Sequence, residues 1–546
     1  MNYFILGSLI YQRFNKKFNY LNFQESTLIA LIILSFLGFL INFILPLNEL
    51  VNFLFFLINI FLVIFLKKRQ IKYILKKSLL FIIILIIVIS FSRNPEDANL
   101  YHHSFIALIN NEKISFGITN LHFRFGHISI IHYLSGLSFI PKISNYLIII
   151  QNNFFYCLVL SIFFSFFKYG MTKKNFLLAS FSFSALIYFV LKFSKYSDWG
   201  IDLIPALLSV YLCALYIKHY KTKFKVLDFN IFYLFISLII VYIFFNRTTY
   251  IFLFFFPILF FTISNIKFNY LLNIKIIFTC SILLTIFFLK NFINSSCIIY
   301  PLYFTCFETS WSSELIEHMN YKQIYVQSKA WAMGYPNSDG SLSEELYIEK
   351  FNWINSWMKV HFIKILEKTI PFIFVIFIIY FILNILFKGS SVFKKKINLQ
   401  IKSYIYSAIF FILSTIFWFL NSPLFRYGAG FIITIVILLC CMPLAKFLSI
   451  NRNEVKKISK FLILCSMLIL CSKNINRIIF DNSDHILPVT FKNNDMKQKK
   501  IKDQNIFYYN NFELCYYPYL SPCVKDSTSF IKNVKVLYGY KFYLTK

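Results

Sequence analysis

The chain has 546 residues, of which 58% are hydrophobic, 21% are aromatic and only 14% are charged. A soluble domain carries charge on about a quarter of its residues, so this composition excludes an ordinary soluble protein and predicts an integral membrane protein. The net charge of +32 does not indicate a nucleic-acid-binding protein, because the Lys and Arg residues interrupt apolar runs instead of clustering on one soluble face.

Apolar runs recur along the whole chain and predict an all-α integral membrane fold. After a short apolar start, about thirteen runs are candidates for membrane spans, and several of them are shorter than the usual ~20 residues. The predicted spans are 27–46, 50–66, 78–92, 143–167, 175–193, 201–217, 229–245, 249–264, 273–290, 365–387, 403–420, 429–447 and 459–474. The apolar segment 128–140 is too short to span, so we expect it to lie in the membrane interface or to dip inward.

The charges between the spans predict the orientation of the chain. If the N-terminus is cytoplasmic, the inside connectors are short and rich in Lys and Arg, as in 67–77 and 388–396, and the positive-inside rule is obeyed. The large outside segments are then 93–142, 291–364 and 475–546. We therefore predict a polytopic domain, 1–474, whose outside loops carry short amphipathic helices, followed by a small extracytoplasmic C-terminal tail.

Four of the eleven cysteines lie in the outside segments and form two local pairs. These pairs are Cys297 with Cys306 and Cys515 with Cys523. Disulfides form in oxidising compartments, so both pairs are predicted to be bridged. The alternative is chance placement in a chain that also uses Cys as a small apolar residue within its spans. The cysteine spacing does not match a zinc site.

An early polar stretch, 95–126, contrasts with the apolar chain around it. It starts where a predicted span ends, and it places Asp97, Tyr101 and His102 near the membrane face. A carboxylate beside apolar walls has a raised pKa, which suits it to accept a proton from a hydroxyl group. Asp97 is therefore a candidate catalytic base, His102 is a second catalytic candidate beside it, and Tyr101 is a candidate substrate-binding residue. The alternative is that Asp97 or Glu96 caps the helix that follows.

The second half of this stretch contains Asn120, His122 and Arg124. Alternate side chains of an extended segment point to the same face. We therefore expect these three side chains to form one donor-rich row that binds phosphate or sugar hydroxyls, with His122 as a catalytic candidate. A structural salt bridge between Arg124 and Asp97 is the alternative for this arginine.

Two further arginines and one aspartate lie at the outside ends of predicted spans. Arg247 and Arg426 are each in a short outside turn, and Asp202 is at the mouth of a span. The guanidinium fork can hold two phosphate oxygens, so both arginines are predicted to bind substrate. Asp202 is predicted to line the substrate site. The alternatives are contacts of the arginines with phospholipid headgroups and a helix-capping role for Asp202.

Several elements resemble, in order along the chain, a family of bacterial polytopic proteins that is similar to the GT-C superfamily of membrane glycosyltransferases. They are DANLYH and GITNLHFRFG in the polar stretch, YPLYFTCFETSW at 300–311, SPLFRYGAG at 422–430 and CYYPYLSPC at 515–523. The residues on the first two elements are Asp97, Tyr101, His102, Gly117, Asn120, Leu121, His122 and Arg124. The chain departs from the family pattern at Ile118, where the family has Leu, and it lacks the Trp that often follows the Tyr-His pair.

The resemblance implies a GT-C-like glycosyltransferase that moves a sugar from a polyprenyl-phosphate donor to an extracytoplasmic glycan or lipid acceptor by inverting displacement. Asp97 is implied to be the base or to hold a divalent metal ion, and no other cofactor is expected. The implied location is the bacterial cytoplasmic membrane, among its lipids, with the active face periplasmic or extracellular and no nucleic-acid partner. The alternatives are an O-antigen-type polymerase and a non-catalytic transporter or flippase of lipid-linked glycans, although a transporter is expected to hold its functional charges at mid-membrane.

Overall fold

A computed structural model describes most of the polytopic region and parts of the C-terminal tail. The described residues are 2–15, 22–92, 101–127, 129–138, 147–197, 200–222, 224–263, 273–312, 321–335, 342–386, 401–448, 464–472, 474–476, 479–480, 496–501, 504–509, 523–524, 531 and 533–544.

Helices dominate the described part of the chain. They are α1 (Asn2–Asn15), α2 (Phe23–Ile41), α3 (Glu49–Leu62, continued by a 3₁₀ turn Val63–Phe65), α4 (Lys68–Ser90), α5 (His103–Asn111), α6 (Ile130–Gly136), α7 (Leu147–Lys173), α8 (Phe176–Ser197), α9 (Leu203–His219), α10 (Val226–Asn246), the 3₁₀ helix α11 (Thr248–Thr262), α12 (Ile274–Ser295), α13 (Tyr321–Ala332), α14 (Glu344–Ile348), α15 (Ile354–Trp357, continued by a π-helical turn Met358–Phe362), α16 (Ile363–Leu386), α17 (Ile401–Asn421) and α18 (Phe425–Leu448). Short 3₁₀ turns cover Ile118–Asn120, Phe123–Gly126, Gly200–Asp202 and Tyr303–Thr305.

Ten helices among the described residues are long and apolar enough to cross a membrane. They are Phe23–Ile41, Lys68–Ser90, Ile149–Lys173, Phe176–Phe193, Gly200–His219, Asp228–Asn246, Ile274–Ser295, Ile354–Ile382, Ile401–Asn421 and Phe425–Leu448. Two shorter apolar helices, Glu49–Phe65 and Thr248–Thr262, fall on predicted spans as well. The multi-pass, helical membrane character expected from the sequence is thereby confirmed, while the full number of spans stays a prediction.

The bundle is built around α9, whose span is buried along its whole length. Helices α7, α8, α10 and α18 pack around it. The spans of α4, α12 and α16 are only 22% buried and lie at the periphery. A helix that is apolar on all sides is stable in both settings, because lipid and protein neighbours are both apolar.

Local sequence signals fix where several helices begin. The side chain of Asn22 accepts a hydrogen bond from the backbone N–H of Glu25, and the Glu25 carboxylate accepts one from the backbone N–H of Asn22. This capping box satisfies the first N–H groups of α2. Asn48 caps α3 in a similar way through Val51.

The segment predicted to lie in the interface or to dip inward contains α6. All seven residues of this helix are buried, and it packs against α2, α5, α7 and α10. Segment 128–140 therefore includes a short helix enclosed by other helices.

The C-terminal tail contains β structure that the sequence analysis did not predict. Strands β1 (Met496–Ile501), β2 (Gln504–Tyr509) and β3 (Cys523–Val524) form one sheet, in which β1 and β2 are antiparallel and β2 and β3 are parallel. Strands β4 (Asn533–Leu537) and β5 (Tyr540–Leu544) form an antiparallel hairpin in which Asn533 pairs with Leu544 and Leu537 pairs with Tyr540. We refer to β4 and β5 as the C-terminal hairpin.

Helices α2 and α9 define two ends of the bundle. At one end, Asn42 follows α2 and donates hydrogen bonds to the carbonyls of Ile109 and Glu112. At the other end of α2, Glu25 meets Lys218, near the end of α9. We call the first the histidine end, because it is formed by segment 101–138, and the second the opposite end. The sixteen positions from Asp202 to Lys218 along α9 separate the two by about 24 Å.

Candidate functional site

Two arginines from distant parts of the chain converge on one aspartate at the histidine end. Arg247 follows α10, Arg426 lies in the first turn of α18, and Asp202 precedes α9. Arg247 Nε is 3.1 Å from Asp202 Oδ1, and Arg426 Nε is 3.8 Å from Asp202 Oδ2. The Asp202 side chain is 5% exposed, whereas those of Arg247 and Arg426 are 16% and 26% exposed. The carboxylate is thus enclosed and the two guanidinium groups reach the surface of the cluster.

The sequence SPLFRYGAG brings α18 close enough for this contact. A Cβ atom at Gly428 would lie 2.3 Å from the Trp418 ring, and one at Gly430 would lie 2.8 Å from Ser209 of α9. Glycine at both positions therefore allows close packing of α18 against α17 and α9. The backbone N–H of Gly430 also donates to the hydroxyl of Tyr250. This close packing places Arg426 beside the start of α9.

Aromatic rings hold both guanidinium groups. The Arg247 guanidinium carbon is 3.7 Å from the centre of the Tyr427 ring, and that of Arg426 is 5.5 Å from Trp331 and 5.4 Å from Tyr427. Thr249 donates to the carbonyl oxygen of Tyr427, which joins the starts of α11 and α18. Stacking on an aromatic face orients a guanidinium group without using its N–H donors.

Two buried histidines lie beside the arginines. His102 Nδ1 is 2.9 Å from His132 Nε2, and both side chains are buried. Burial lowers the pKa of His102 well below its usual range, and His132, His103, Arg426 and Arg247 lower it further. Burial, together with His103, lowers the pKa of His132 to about 3, and burial lowers that of His103 to about 4. These imidazoles are therefore neutral at physiological pH.

Arg124 belongs to the same neighbourhood through Tyr101 and His127. Its guanidinium carbon is 5.3 Å from the centre of the Tyr101 ring, and the Tyr101 ring is 4.1 Å from that of His102. Burial, followed by the positive charges of Arg247 and Arg124 and then by His122, lowers the pKa of His127 to about 3. Arg124 and Arg247 thus both act on the His127 ring.

The expected row of Asn120, His122 and Arg124 is wrong in its geometry. The segment forms two 3₁₀ turns, Ile118–Asn120 and Phe123–Gly126, instead of one extended strand. His122 lies between the turns, and its Nδ1 accepts from the backbone N–H of Arg124. Alternation along a strand therefore does not apply here.

Asn120 points to the C-terminal hairpin. Its Nδ2 donates to the carbonyl oxygens of Tyr543, at 2.7 Å, and Trp311, at 3.3 Å. Gly117, with φ of +67°, starts this turn, and a Cβ there would lie 2.7 Å from the Tyr543 carbonyl oxygen. The asparagine and the glycine of the GITNLHFRFG element therefore hold the hairpin to the loop.

Glu112 is the second anchor of the C-terminal hairpin. Its carboxylate accepts from the Tyr543 hydroxyl at both oxygens, at 2.9 Å, and Oε1 contacts Lys541 Nζ at 2.7 Å. Backbone bonds from Phe116 to Lys541 and from Tyr543 to Phe116 add a strand-like contact. The hairpin thereby fixes the loop that leads to His122 and Arg124.

The remaining predicted site residues are Asp97 and the four cysteines of the outside segments. Asp97 and Cys515 lie outside the described residues, so the predicted base and the Cys515–Cys523 bridge stay predictions. Cys297 and Cys306 are joined by a disulfide in the structure. In the part of the chain that the structure describes, no group of three or more His, Cys, Asp or Glu side chains is placed to hold a metal ion.

Sequence reasoning missed His103, His127 and His132, because contacts between residues 101–103 and the short helix α6 are not visible in a linear pattern. One available signal was the scarcity of arginine. Only eight of the 55 basic residues are Arg, and three of these eight lie in this neighbourhood. Lysine supplies charge equally well, so the use of arginine here favours a role for the guanidinium fork.

Comparison with known families and proteins gives one match. The chain belongs to the family described as Domain of unknown function (DUF8201), which matches residues 1–433. The matched region contains the arginine and histidine cluster and excludes the C-terminal hairpin. No curated protein and no solved structure matches the chain.

Proposed function

We propose that the chain is a GT-C-like membrane glycosyltransferase that moves a sugar from a polyprenyl-phosphate donor to an extracytoplasmic hydroxyl acceptor. The observation that carries this proposal is the convergence of Arg247 and Arg426 on Asp202, next to the neutral His102–His132 pair. The arrangement combines anion-binding groups with uncharged nitrogen atoms, which is what a phosphate and a sugar hydroxyl require together.

In the proposed reaction the acceptor oxygen forms a bond to C1 of the sugar while the bond from C1 to the phosphate oxygen breaks. The electron pair of the broken bond stays on the lipid phosphate, and the configuration at C1 is inverted. Arg247 and Arg426 stabilise the charge that develops on this leaving group. A hydrogen bond to a charged group contributes about 1.5–3 kcal/mol, so two arginines together supply about 10²–10⁴ in rate.

The proton of the acceptor hydroxyl needs a base, and Asp97 is proposed for this role. Asp97 follows the end of α4 by only a few residues, and Tyr101 and His102, which lie in the cluster, follow it in turn. We assign no step to a metal ion.

We further propose that the histidine end faces outside a bacterial cytoplasmic membrane and the opposite end faces the cytoplasm, as the positive-inside rule predicts. Tyr538 in the C-terminal hairpin is 96% exposed, and Arg69 at the start of α4 is exposed at the opposite end. Cysteine substituted at Tyr538 should react with a membrane-impermeant maleimide in intact cells, and cysteine at Arg69 should react only after the membrane is opened. The reverse pattern would place the cluster in the cytoplasm and overturn the proposal.

The activity is tested by release of the free lipid phosphate, because this product forms whatever the acceptor is. Purified protein in nanodiscs would be incubated with a set of short-chain polyprenyl-phosphate sugars and a membrane extract as the acceptor source. We expect lipid phosphate to be released by the wild type and by Arg69→Lys, and release to fall by about 10²–10⁴ in Asp97→Asn. Full release by a well-folded Asp97→Asn variant would remove Asp97 from the mechanism. Movement of the intact donor across vesicles without lipid-phosphate release would instead favour a transporter.

A further inference from the structure

The loop that follows α12 exposes aromatic rings instead of charged groups. Residues 297–307, which we call the aromatic loop, contain no Lys, Arg, Asp or Glu. Phe304 is 69% exposed and Phe307 is 52% exposed, and Tyr303 is exposed beside them. A cluster of large exposed apolar side chains marks contact with a membrane, a ligand or another protein. The surroundings of the aromatic loop decide among these three.

The aromatic loop is closed at its base by covalent and hydrogen bonds. A disulfide joins Cys297 to Cys306. The backbone N–H of Ile298 donates to the carbonyl oxygen of Thr305 at 3.0 Å. These bonds fix the backbone on both sides of the tip. The ring of Phe304 is therefore presented to the surroundings by a constrained segment of the chain.

Two contacts show that the aromatic loop folds back beside the end of α12. The Phe307 ring is 5.9 Å from the ring of Phe292, which lies in the last turn of this candidate membrane span. Asn291 Nδ2 donates to the carbonyl oxygen of Ile298 at 3.2 Å. Because one helical turn rises 5.4 Å, Phe307 lies within about one turn of the level of Phe292. This is the depth at which acyl chains give way to headgroups at the end of a span.

The aromatic loop also continues an exposed apolar face of α12. The span of α12 is only 22% buried, and Phe278 and Leu289 are both exposed on it. These two residues are eleven positions apart, which is close to three helical turns, so they share one face. Phe292 is three positions after Leu289 and therefore neighbours it on the helix surface. An exposed apolar face along a membrane span contacts lipid, and Phe307 extends this face beyond the span.

The base of the aromatic loop contacts the turn that carries Arg124. Tyr300 is buried, and a Cβ atom added at Gly126 would lie 2.5 Å from its ring. The His127 ring is 5.2 Å from the same ring. Gly126 ends the 3₁₀ turn Phe123–Gly126. The aromatic loop therefore packs against this turn from the side of α12.

We propose that the aromatic loop is a membrane-interface anchor, which inserts Tyr303, Phe304 and Phe307 among the phospholipids of the leaflet at the histidine end. Aromatic side chains are enriched at this boundary between water and the bilayer. Through Tyr300, the anchor holds the turn Phe123–Gly126 at a fixed depth near the headgroups. The anchor depends on the membrane character of the chain and is independent of whether the chain transfers sugars.

The lipid contact is measured on the wild type in nanodiscs by two kinds of labelling, each followed by peptide mass spectrometry. A phospholipid with a diazirine near its headgroup labels side chains that touch lipid, and hydroxyl radicals label side chains that touch water. We expect the diazirine to label residues 303–307 and to leave the exposed Tyr538 of the C-terminal hairpin unlabelled, while radicals label Tyr538. Absence of diazirine label at 303–307 would overturn the proposal. Radical labelling there would then show contact with water, and protection from radicals would show contact with a second protein surface.

The connection to the turn is tested with Phe304→Asp, because a charge at the tip opposes insertion into lipid. The backbone N–H groups of Phe125 and His127 donate to the carbonyls of His122 and Arg124, so their hydrogen exchange reports on this turn. We expect loss of the diazirine label at 303–307 and faster exchange at both amides, whereas the matched variant Tyr538→Asp should change neither.

Unchanged exchange together with a lost label would show that the anchor does not hold the turn. If Phe304→Asp folds poorly, Phe304→Ser gives the same comparison, and the wild-type labelling decides the lipid contact in either case. Absence of lipid-phosphate release by the wild type would count against the proposed function and would leave the labelling result to judge the anchor.

Discussion

Helix α9 connects two buried ionic groups that differ in how they are enclosed. At the opposite end, the Glu25 carboxylate is fully buried and accepts from Lys218 Nζ at 3.1 Å on both oxygens. It also accepts from the Tyr211 hydroxyl at 3.1 Å and from the backbone N–H of Asn22 at 2.9 Å. Lys218 is itself only 8% exposed. These contacts satisfy both oxygens of the buried carboxylate, so we expect this group to stabilise the fold.

At the histidine end, one carboxylate is paired with two cationic side chains instead of one. Here one carboxylate, that of Asp202, lies between two guanidinium groups that are more exposed than it is. Nε of each arginine makes one of these contacts. Both ends bury charge, so burial of charge does not by itself mark a functional site. Among the described contacts, the histidine end pairs two partly exposed guanidinium groups with one enclosed carboxylate, whereas Glu25 is paired with one nearly buried ammonium group.

The largest expected effect is on turnover at the histidine end. Arg247→Lys combined with Arg426→Lys keeps both charges but removes both forks, so lipid-phosphate release should fall by about 10²–10⁴. We expect the melting temperature of the double variant to stay close to that of the wild type. Arg69→Lys, which is exposed at the opposite end, serves as the matched control and should retain full release. Equal release by the double variant would show that the arginines do not contact the leaving group.

The second effect is on stability at the opposite end. Glu25→Gln leaves Lys218 buried without its carboxylate, and breaking such a pair costs about 3–5 kcal/mol. We expect a lower melting temperature in detergent and a lower yield, with lipid-phosphate release per folded molecule unchanged. A stable Glu25→Gln protein with reduced release would mean that the two ends do not divide fold and function as described.

The third prediction uses the pH dependence of the buried histidines. His102, His103 and His132 have folded-state pKa values below the ordinary value, so the unfolded chain binds more protons as the pH falls below about 6.5. Each histidine then lowers stability by at most about 1.4 kcal/mol per pH unit, down to its folded-state pKa. The melting temperature should fall from pH 7 to pH 5, and less steeply in His103→Phe. A melting temperature that is constant or rises over this range would contradict the neutral state of the three rings.

The smallest effect separates scaffolding from binding within the histidine end. Tyr543→Phe removes the hydroxyl that donates to Glu112, which should weaken the attachment of the C-terminal hairpin by about 1.5–3 kcal/mol. Hydrogen exchange in the 113–121 loop should become faster, while Tyr538→Phe, at a 96% exposed position, should leave it unchanged. Exchange that stays slow in Tyr543→Phe would show that the hairpin does not hold this loop.

The spans could be predicted from the sequence because the length and the hydropathy of a run are local properties of the chain. The predicted 201–217 and 403–420 spans, for example, correspond to Gly200–His219 and Ile401–Asn421. Membrane-spanning backbone must satisfy its own hydrogen bonds, so an apolar run of this length has few alternatives to a helix.

The candidate site was only partly predictable. Residues near span ends that carry charge, such as Arg247, Arg426 and Asp202, were accessible to sequence reasoning because a membrane protein rarely keeps buried charge without a purpose. The contact between them could not be predicted from the sequence, because it depends on the close packing of α18 on α9 that glycine allows. The strand assumption for 120–124 failed because the loop is shaped by the C-terminal hairpin, whose contacts are more than four hundred residues away along the chain.

The proposed function depends on the binding of a lipid phosphate by Arg247 and Arg426 at the histidine end. The most direct test compares the binding of a polyprenyl phosphate and of the polyprenol of the same chain length to the protein in nanodiscs, by native mass spectrometry. Because two hydrogen bonds to a charged group are lost when the phosphate is absent, we expect the phosphate to bind at least about 100-fold more tightly than the alcohol. This preference should disappear in Arg247→Gln combined with Arg426→Gln and persist in Arg69→Gln. Equal affinity of the wild type for the phosphate and the alcohol would show that the two arginines do not bind a lipid phosphate.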